Sequence, residues 1–458
     1  MQFAFKLPLR TILLGLLQGD SLRCRIAGGV LWTILGAGIG QGLGLIATVV
    51  CARLLGRVEY GHLGILVSTV NLFATVGSIG LGVTATRHVA EYKRSDPQRA
   101  GRIIGLSFLT SASVGLVAAG ALFWLAPWLS RSVLNAPALS SGIRLAAPMI
   151  LFVAINTYQI GTLSGFEAFR ILAILSLIRG SVALPMVVCG VIWGGLLGAV
   201  SAYSVASVFT FAIYEVAIRR CAQSHGAPIS YRFARADIRL LWSYSVPVMV
   251  ASLSFTPAAW WSSTMLARGS GYAEVGLFNA AFQWQMVMMF LSTAVSNLGL
   301  PMLSAALPER AIAKYKRLLG LNFALTVGLT LVVAMPTALG AGWIMSFYGH
   351  QFLGGATVLR LVCLATVLSA MNITVGQAIW SLDAAVSGMV LGVLRGLALL
   401  TGSYYLAGKG ATGLAGAYVF MGVVQTIVQA PFMFWLLVRH ASRWATVGVA
   451  PDCAPSPH

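Results

Sequence analysis

Charge is scarce in this 458-residue chain: Asp and Glu together number 11, and all charged residues make up 9%. So little charge cannot solvate an ordinary globular surface. With 58% hydrophobic residues and a mean hydropathy of +0.86, the chain reads as a polytopic membrane protein. The apolar runs last about 20 residues or more and lack period-two alternation, which excludes an outer-membrane barrel. Cysteine and histidine are also thin. Cys24, Cys51, Cys189, Cys221, Cys363 and Cys453 are scattered without a CxxC pair, and His62, His88, His225, His350, His440 and His458 are equally dispersed. No zinc site or disulfide framework is legible, and no metal or cofactor is expected. There is no nucleophile motif, phosphate-binding glycine loop or ATPase motif, so no catalytic residue is assigned and the chain is not read as an enzyme.

The charge that is present is mostly basic, with a formal net charge of +19. In a soluble protein that balance points to nucleic acid; here it points to basic cytoplasmic loops facing anionic lipid, and no nucleic-acid partner is expected. Twelve spans are expected, at 26–50, 62–86, 103–126, 145–165, 171–193, 197–218, 241–265, 277–303, 318–342, 355–377, 384–406 and 411–437. With both termini inside, cytoplasmic segments hold 21 of the 30 Lys and Arg, and the external side holds seven. The remaining two, Arg179 and Arg395, fall inside spans. The chain divides into a cytoplasmic N-terminal segment (1–25), a six-helix lobe (26–218), a cytoplasmic linker (219–240), a second six-helix lobe (241–437) and a cytoplasmic tail (438–458). In the first of these, the apolar run Leu7 to Leu17 is too short to cross about 30 Å of hydrocarbon and reads as an interfacial amphipathic helix.

The two lobes are copies. Residues 52–64 laid on 267–279 match Ala52 with Ala267, Arg53 with Arg268, Gly56 with Gly271, Glu59 with Glu274 and Gly61 with Gly276. One residue further in offset, Ala168 meets Ala384, Arg179 meets Arg395, Gly180 meets Gly396, and Glu167 meets Asp383. Six spans per lobe is an even number, so both lobes insert the same way up, related by a pseudo-two-fold axis along the membrane normal. The cavity between two such bundles is the expected site.

Two motifs carry a family likeness. Arg53-x-Leu55-Gly56-x-x-x-Tyr60-Gly61, closing the first span, and Val275-Gly276-x-Phe278-x-Ala280, opening the eighth, resemble the oligosaccharide flippases of the polysaccharide transporter family. Its superfamily also holds multidrug and toxic-compound extrusion pumps and lipid II flippases. The resemblance spans residues 26–440. It implies an all-α, V-shaped exporter fold in the bacterial inner membrane. It also implies alternating access that moves an undecaprenyl-diphosphate-linked oligosaccharide to the outer leaflet for polysaccharide biosynthesis, with membrane lipids, a polymerase and other assembly proteins as partners. Arg57 departs from the pattern by standing where proline is common. The seventh span, with Trp260-Trp261-Ser262-Ser263-Thr264, departs by carrying no Asp.

Such a cargo has an anionic head, a hydroxylated body and an apolar tail. Arginine suits the diphosphate because its planar fork binds two oxygens at once, which singles out Arg179 and Arg395. Arg53, Glu59, Arg268 and Glu274, at the external ends of the first and seventh spans, are candidates for a gate of ion pairs between lobes, Arg53 with Glu274 and Arg268 with Glu59. Local turn pairing is the competing reading. Amides both donate and accept, as sugar hydroxyls require. Gln41, Asn71, Asn156, Gln159, Asn279 and Gln283 are the candidate sugar contacts, and Asn372, Gln377, Gln425 and Gln429 also lie within spans. Two other functions stand against this one. A cation-coupled multidrug exporter needs carboxylates inside the spans, and Glu215 and Asp383 are the only candidates. A membrane-embedded glycan-processing enzyme needs large external loops and acidic groups, which are lacking apart from Glu59 and Glu274.

Overall fold

The computed structural model describes residues 22–78, 80–231, 253–306, 312–382 and 385–447. Among them it is helical throughout, with no strand. Lobe 1 contains α1 (Leu22–Ser78), α2 (Leu81–Ser95), α3 (Pro97–Trp128), α4 (Leu139–Gly165) and α5 (Phe169–Ser224). Lobe 2 contains α6 (Thr256–Ser270), α7 (Tyr272–Ala306), α8 (Ile312–Leu339), α9 (Ala341–Ser346), α10 (Ala356–Ser381), α11 (Ala385–Leu406) and α12 (Gly410–Val447). The expected interfacial segment lies outside the described residues up to residue 21, as do the second half of the linker, the first half of the seventh span and the tail beyond residue 447.

Among the described residues seven stretches are long and apolar enough to cross a membrane, and three of these, Gly38–Ser78, Phe169–Ser224 and Val390–Arg439, run 41, 56 and 50 residues. At about 1.5 Å per residue they are roughly two to three times the hydrocarbon thickness of about 30 Å, so each holds two crossings. The breaks are made by glycine. Gly56 (φ 75°, ψ 173°) interrupts α1, and Gly271 (φ 90°, ψ 164°) separates α6 from α7 in nearly the same conformation. Gly195 (φ 54°, ψ −132°) folds α5 back on itself, and Gly410 (φ 62°, ψ −144°) opens α12 in the same way. These are positive-φ conformations that side chains with a Cβ resist. Each pair is separated by 215 residues, so the duplication extends to the backbone. Within α5 the reversal is tight: a methyl added at Gly198 would lie 1.9 Å from the Gly190 carbonyl oxygen.

Where the core sits explains the shape. One continuous apolar core includes Cys51, Tyr60, Leu66 and Leu134 of lobe 1 together with Val275, Phe278, Met345 and Phe352 of lobe 2. At the opposite end each lobe has its own core, around Tyr158, Tyr214 and Ile218 in lobe 1 and around Tyr315, Ile379 and Leu436 in lobe 2. Joined at one end and separately packed at the other, the lobes form a V. Trp124, Trp193, Trp343, Tyr404 and Tyr405 lie exposed at the joined end, where amphipathic rings favour the headgroup level.

At the divided end, α2 is tied to the α4–α5 turn. Lys93 Nζ lies 2.8 Å from Glu167 Oε1 and donates to the Gly165 carbonyl at 3.1 Å. The Lys93 hydrogen bond, with its charge, holds the Glu167 carboxyl below the ordinary carboxylate value. A depressed folded-state value makes the tie fully effective above the ordinary glutamate pKa of about 4.3, with loss as pH falls through the lower folded value. Glu167 is well exposed, so the contribution is about 0.2–1 kcal/mol. Glu167→Gln is therefore expected to lower the melting temperature slightly at neutral pH and to match wild type under acid, as read by thermal unfolding in detergent. Gly198→Leu is expected to be more damaging, by about 1–3 kcal/mol from overpacking. Gly342→Ala, which meets nothing within 4 Å, should be neutral in the same assay.

Candidate functional site

The lobes meet where two helices cross without side chains between them. A methyl at Gly61 would lie 1.9 Å from the Tyr272 carbonyl oxygen, and one at Gly276 would lie 2.0 Å from the Arg57 carbonyl oxygen. Gly61 and Gly276 are repeat mates, as are Arg57 and Tyr272, so the contact is reciprocal in the manner of an isologous interface. One turn further, Gly64 faces the side chain of its own mate, Asn279, closely enough that a Cβ would collide with Nδ2. The pseudo-two-fold axis runs through this crossing.

Polar groups reinforce the seam. Arg57 forms an ion pair with Glu274, its Nε donates to the Ala273 carbonyl at 2.9 Å, and its backbone N–H donates to Gln351 Oε1 at 3.1 Å. The other carboxylate oxygen of Glu274 accepts the Ala411 N–H at 2.8 Å, satisfying an unpaired donor at the start of α12. Tyr272 packs against His62 with ring centroids 4.3 Å apart and the rings tilted by 56°, and donates its hydroxyl to the Leu134 carbonyl at 2.7 Å. Burial pushes that hydroxyl up to about 12, so it remains a donor at physiological pH. Deeper along the seam, Trp260 Nε1 donates to Thr69 Oγ1 at 2.9 Å.

The arginine of this seam differs from the one expected. Glu274 pairs with Arg57, not Arg53, while Glu59 lies 3.4 Å from His62 on its own helix. Arg53 and Arg268 are exposed and make no ion pair among the described residues. Gly56 is the reason: its extended, positive-φ step separates Arg53 from Arg57 and brings only the latter against Tyr272–Gly276. The repeat highlighted Arg53 because it has a matching Arg268, whereas Arg57 has no charged mate.

The candidate sugar contacts separate into two groups. Gln159 is fully buried and committed within lobe 1, donating to Glu215 Oε2 and the Phe211 carbonyl, both at 3.3 Å. Asn156 donates to Gln159 Oε1 at 3.5 Å. Glu215 also accepts from Tyr158 at 3.2 Å and Arg219 at 3.0 Å, so the carboxylate inside the spans is already neutralised. Among the described residues Gln41, Asn71 and Gln283 make no side-chain hydrogen bond, and Asn279 Nδ2 is buried without a partner.

The two span-embedded arginines differ. Arg179 is exposed on α5 and unpaired among the described residues. Next to it, Gly180 packs on Gly40 of α1, just as Gly396 beside Arg395 packs on Ser254. The Arg395 guanidinium carbon lies 4.0 Å from the centre of the Phe255 ring, and its Nε is buried without an acceptor. A cation–π contact supplies about 0.5–2 kcal/mol, less than the roughly 2.5–3.5 kcal/mol for a charge at the span centre on the lenient scale. Among the described residues Arg395 forms no ion pair.

Residues 26–307 match the polysaccharide biosynthesis protein family. The chain belongs to that family. It is 24% identical over 323 residues to the EPS I polysaccharide export inner membrane protein EpsE of Ralstonia nicotianae, covering 67% of this chain and 72% of the relative. The EpsE protein of Ralstonia solanacearum is 27% identical over 220 residues, 46% of this chain and 49% of that protein. The fold is that of MOP superfamily transporters. An inward-facing multidrug resistance MATE family transporter superposes with a TM-score of 0.74 at 15% identity, covering 89% of this chain and 96% of the other. A MOP superfamily transporter from Pyrococcus furiosus, described for the reverse polarity of its binding pocket, gives 0.69 at 15% identity, covering 93% and 97%.

Cysteines tell whether the seam opens in membranes. Arg57→Cys with Glu274→Cys is expected to crosslink with short reagents, and Arg53→Cys with Glu274→Cys to crosslink much less, in gel-shift assays. Equal yields from both pairs would refute the seam geometry.

Proposed function

We propose that this protein is a flippase that carries an undecaprenyl-diphosphate-linked oligosaccharide from the inner to the outer leaflet of the bacterial inner membrane by alternating access, for polysaccharide biosynthesis and export. In this reading the lobes are residues 26–218 and 241–437, the linker and both termini are cytoplasmic, and the glycine seam is the closed periplasmic end. The V then opens toward the cytoplasm, where a lipid-linked precursor enters. Membership of the polysaccharide biosynthesis family supports the class of cargo. The observation that carries the head-group assignment is the pair of arginines placed inside spans, neither of which forms an ion pair among the described residues. A cation at that depth is stabilised by a hydrated cavity and an anionic ligand, and a guanidinium fork suits a diphosphate. Multidrug export is the weaker reading, because Glu215 is held by three side-chain donors instead of being free to exchange a cation.

On this proposal, Arg179→Gln and Arg395→Gln reduce export of the cell's lipid-linked glycan at unchanged protein levels. Lys at either position gives a smaller defect, because charge remains while the fork is lost. Normal export by the double Gln variant would remove the diphosphate role. Orientation is checked separately: a reporter fused after Arg232 is expected in the cytoplasm and one after Ala136 in the periplasm, and the reverse result would invert the lobes.

A further inference from the structure

Arg395 opens on a cavity of about 260 Å³ between α10, α11 and α12, lined by Ser369, Asn372, Gln377, Gln425 and Gln429 among others, with no Asp or Glu among the described residues of its wall. The wall is built to keep its shape. Asn372 donates to the Gly422 carbonyl at 3.0 Å and accepts from Thr426 at 3.2 Å, while Ser296 donates to Gln377 Oε1 at 2.9 Å. Two buried polar atoms of the wall residues have no hydrogen-bond partner among the described residues, the donor Arg395 Nε and the acceptor Gln429 Oε1, and Gln429 as a whole is 3% exposed. Buried polar atoms are normally paired, so an unpaired donor on a guanidinium, in a polar cavity without a carboxylate, marks a ligand position.

Lobe 1 does not repeat this cavity. At the repeat offset, Gln425 and Gln429 fall on Phe209 and Ile213, or on Thr210 and Tyr214 one residue further on; neither register has an amide. Instead, lobe 1 places the satisfied carboxylate Glu215 among Tyr158, Gln159 and Arg219. Arg179 and Arg395 are repeat mates and neither forms an ion pair among the described residues, but Arg179 is exposed on α5 while Arg395 lines a polar cavity.

We infer that the Arg395 cavity of lobe 2 is a site for a single small oxyanion group, such as a phosphoryl, and that Arg179 has no equivalent site. The guanidinium supplies the charge and the fork. The side-chain amide of Gln425 supplies a neutral donor, and Gln429 Oε1, an acceptor, takes the proton of a P–OH on a partly protonated oxyanion. The flippase reading gives this site one ligand, the head of the lipid-linked cargo, and to that extent the inference rests on it. A free inorganic anion has the same chemistry and is the other source.

The test uses the full chain in lipid nanodiscs with inorganic pyrophosphate as probe, followed by calorimetric titration at constant ionic strength. Wild type is expected to bind. Arg395→Gln should weaken binding at least about tenfold, the scale of a lost hydrogen bond to a charged group. Arg395→Lys should fall between the two, which a purely structural role for Arg395 would not produce. Gln429→Leu should also weaken binding, whereas Arg179→Gln should leave it within about threefold. Binding by Arg395→Gln equal to wild type, or an equal loss in Arg179→Gln, overturns the inference. Undecaprenyl diphosphate in the nanodisc separates the sources. Displacement of pyrophosphate assigns the site to the cargo head. Failure to displace leaves an inorganic-anion site in lobe 2 and counts against the diphosphate contact of the flippase reading.

Discussion

Everything in this bundle is organised around a contact in which almost no side chain takes part. Gly61 and Gly276 let two helices cross backbone to backbone, and no residue with a Cβ could stand at either position without driving the lobes apart. Small residues are how membrane helices approach closely, because apolar side chains gain little from leaving one apolar medium for another. Since the two glycines are repeat mates, the crossing also fixes the pseudo-two-fold axis. The joined core, the V, and the location of any central cavity follow from where that axis passes.

Around this symmetric contact the protein has placed asymmetric chemistry. Glu274 braces both Arg57 across the seam and the Ala411 N–H at the start of α12, while among the described residues its mate Glu59 reaches only His62. Glu215 is half-buried and satisfied in lobe 1; Arg395 is half-buried in lobe 2, and its buried Nε has no partner among the described residues. A duplicated fold supplies two equivalent positions for each side chain, and a cargo with an anionic head and a neutral body has no such symmetry. The divergence is concentrated in polar residues, and the positive-φ glycines that shape the backbone are retained in pairs.

The relatives and the structural neighbours bear on different parts of this picture. Family membership rests on sequence over residues 26–307, and it speaks to polysaccharide biosynthesis. The transporters that superpose at 15% identity share the fold alone. On the proposed reading this chain is set apart from a carrier of cations by the sign of its intramembrane charge, since among the described residues Arg395 forms no ion pair while the carboxylate of Glu215 is paired with Arg219.

By itself, the sequence determined the membrane class, the helical architecture, the duplication and the family, because each depends on composition or on patterns that survive along the chain. Hydropathy reports burial in lipid directly, and the recurrence of Arg53-Gly56-Glu59-Gly61 reports the repeat. A further signal was present in the spacing of Gly195 and Gly410, the hairpin breaks of both lobes. Tertiary structure alone decided which charges meet. Whether Arg53 or Arg57 reaches Glu274 depends on the dihedral angles at Gly56, and whether an amide faces sugar or carboxylate depends on packing: Gln159 is spent on Glu215, while Gln429 keeps an oxygen unpaired. A pairing across 217 residues leaves no local trace in the chain, because the partners are brought together by the helix crossing and not by their neighbours in sequence.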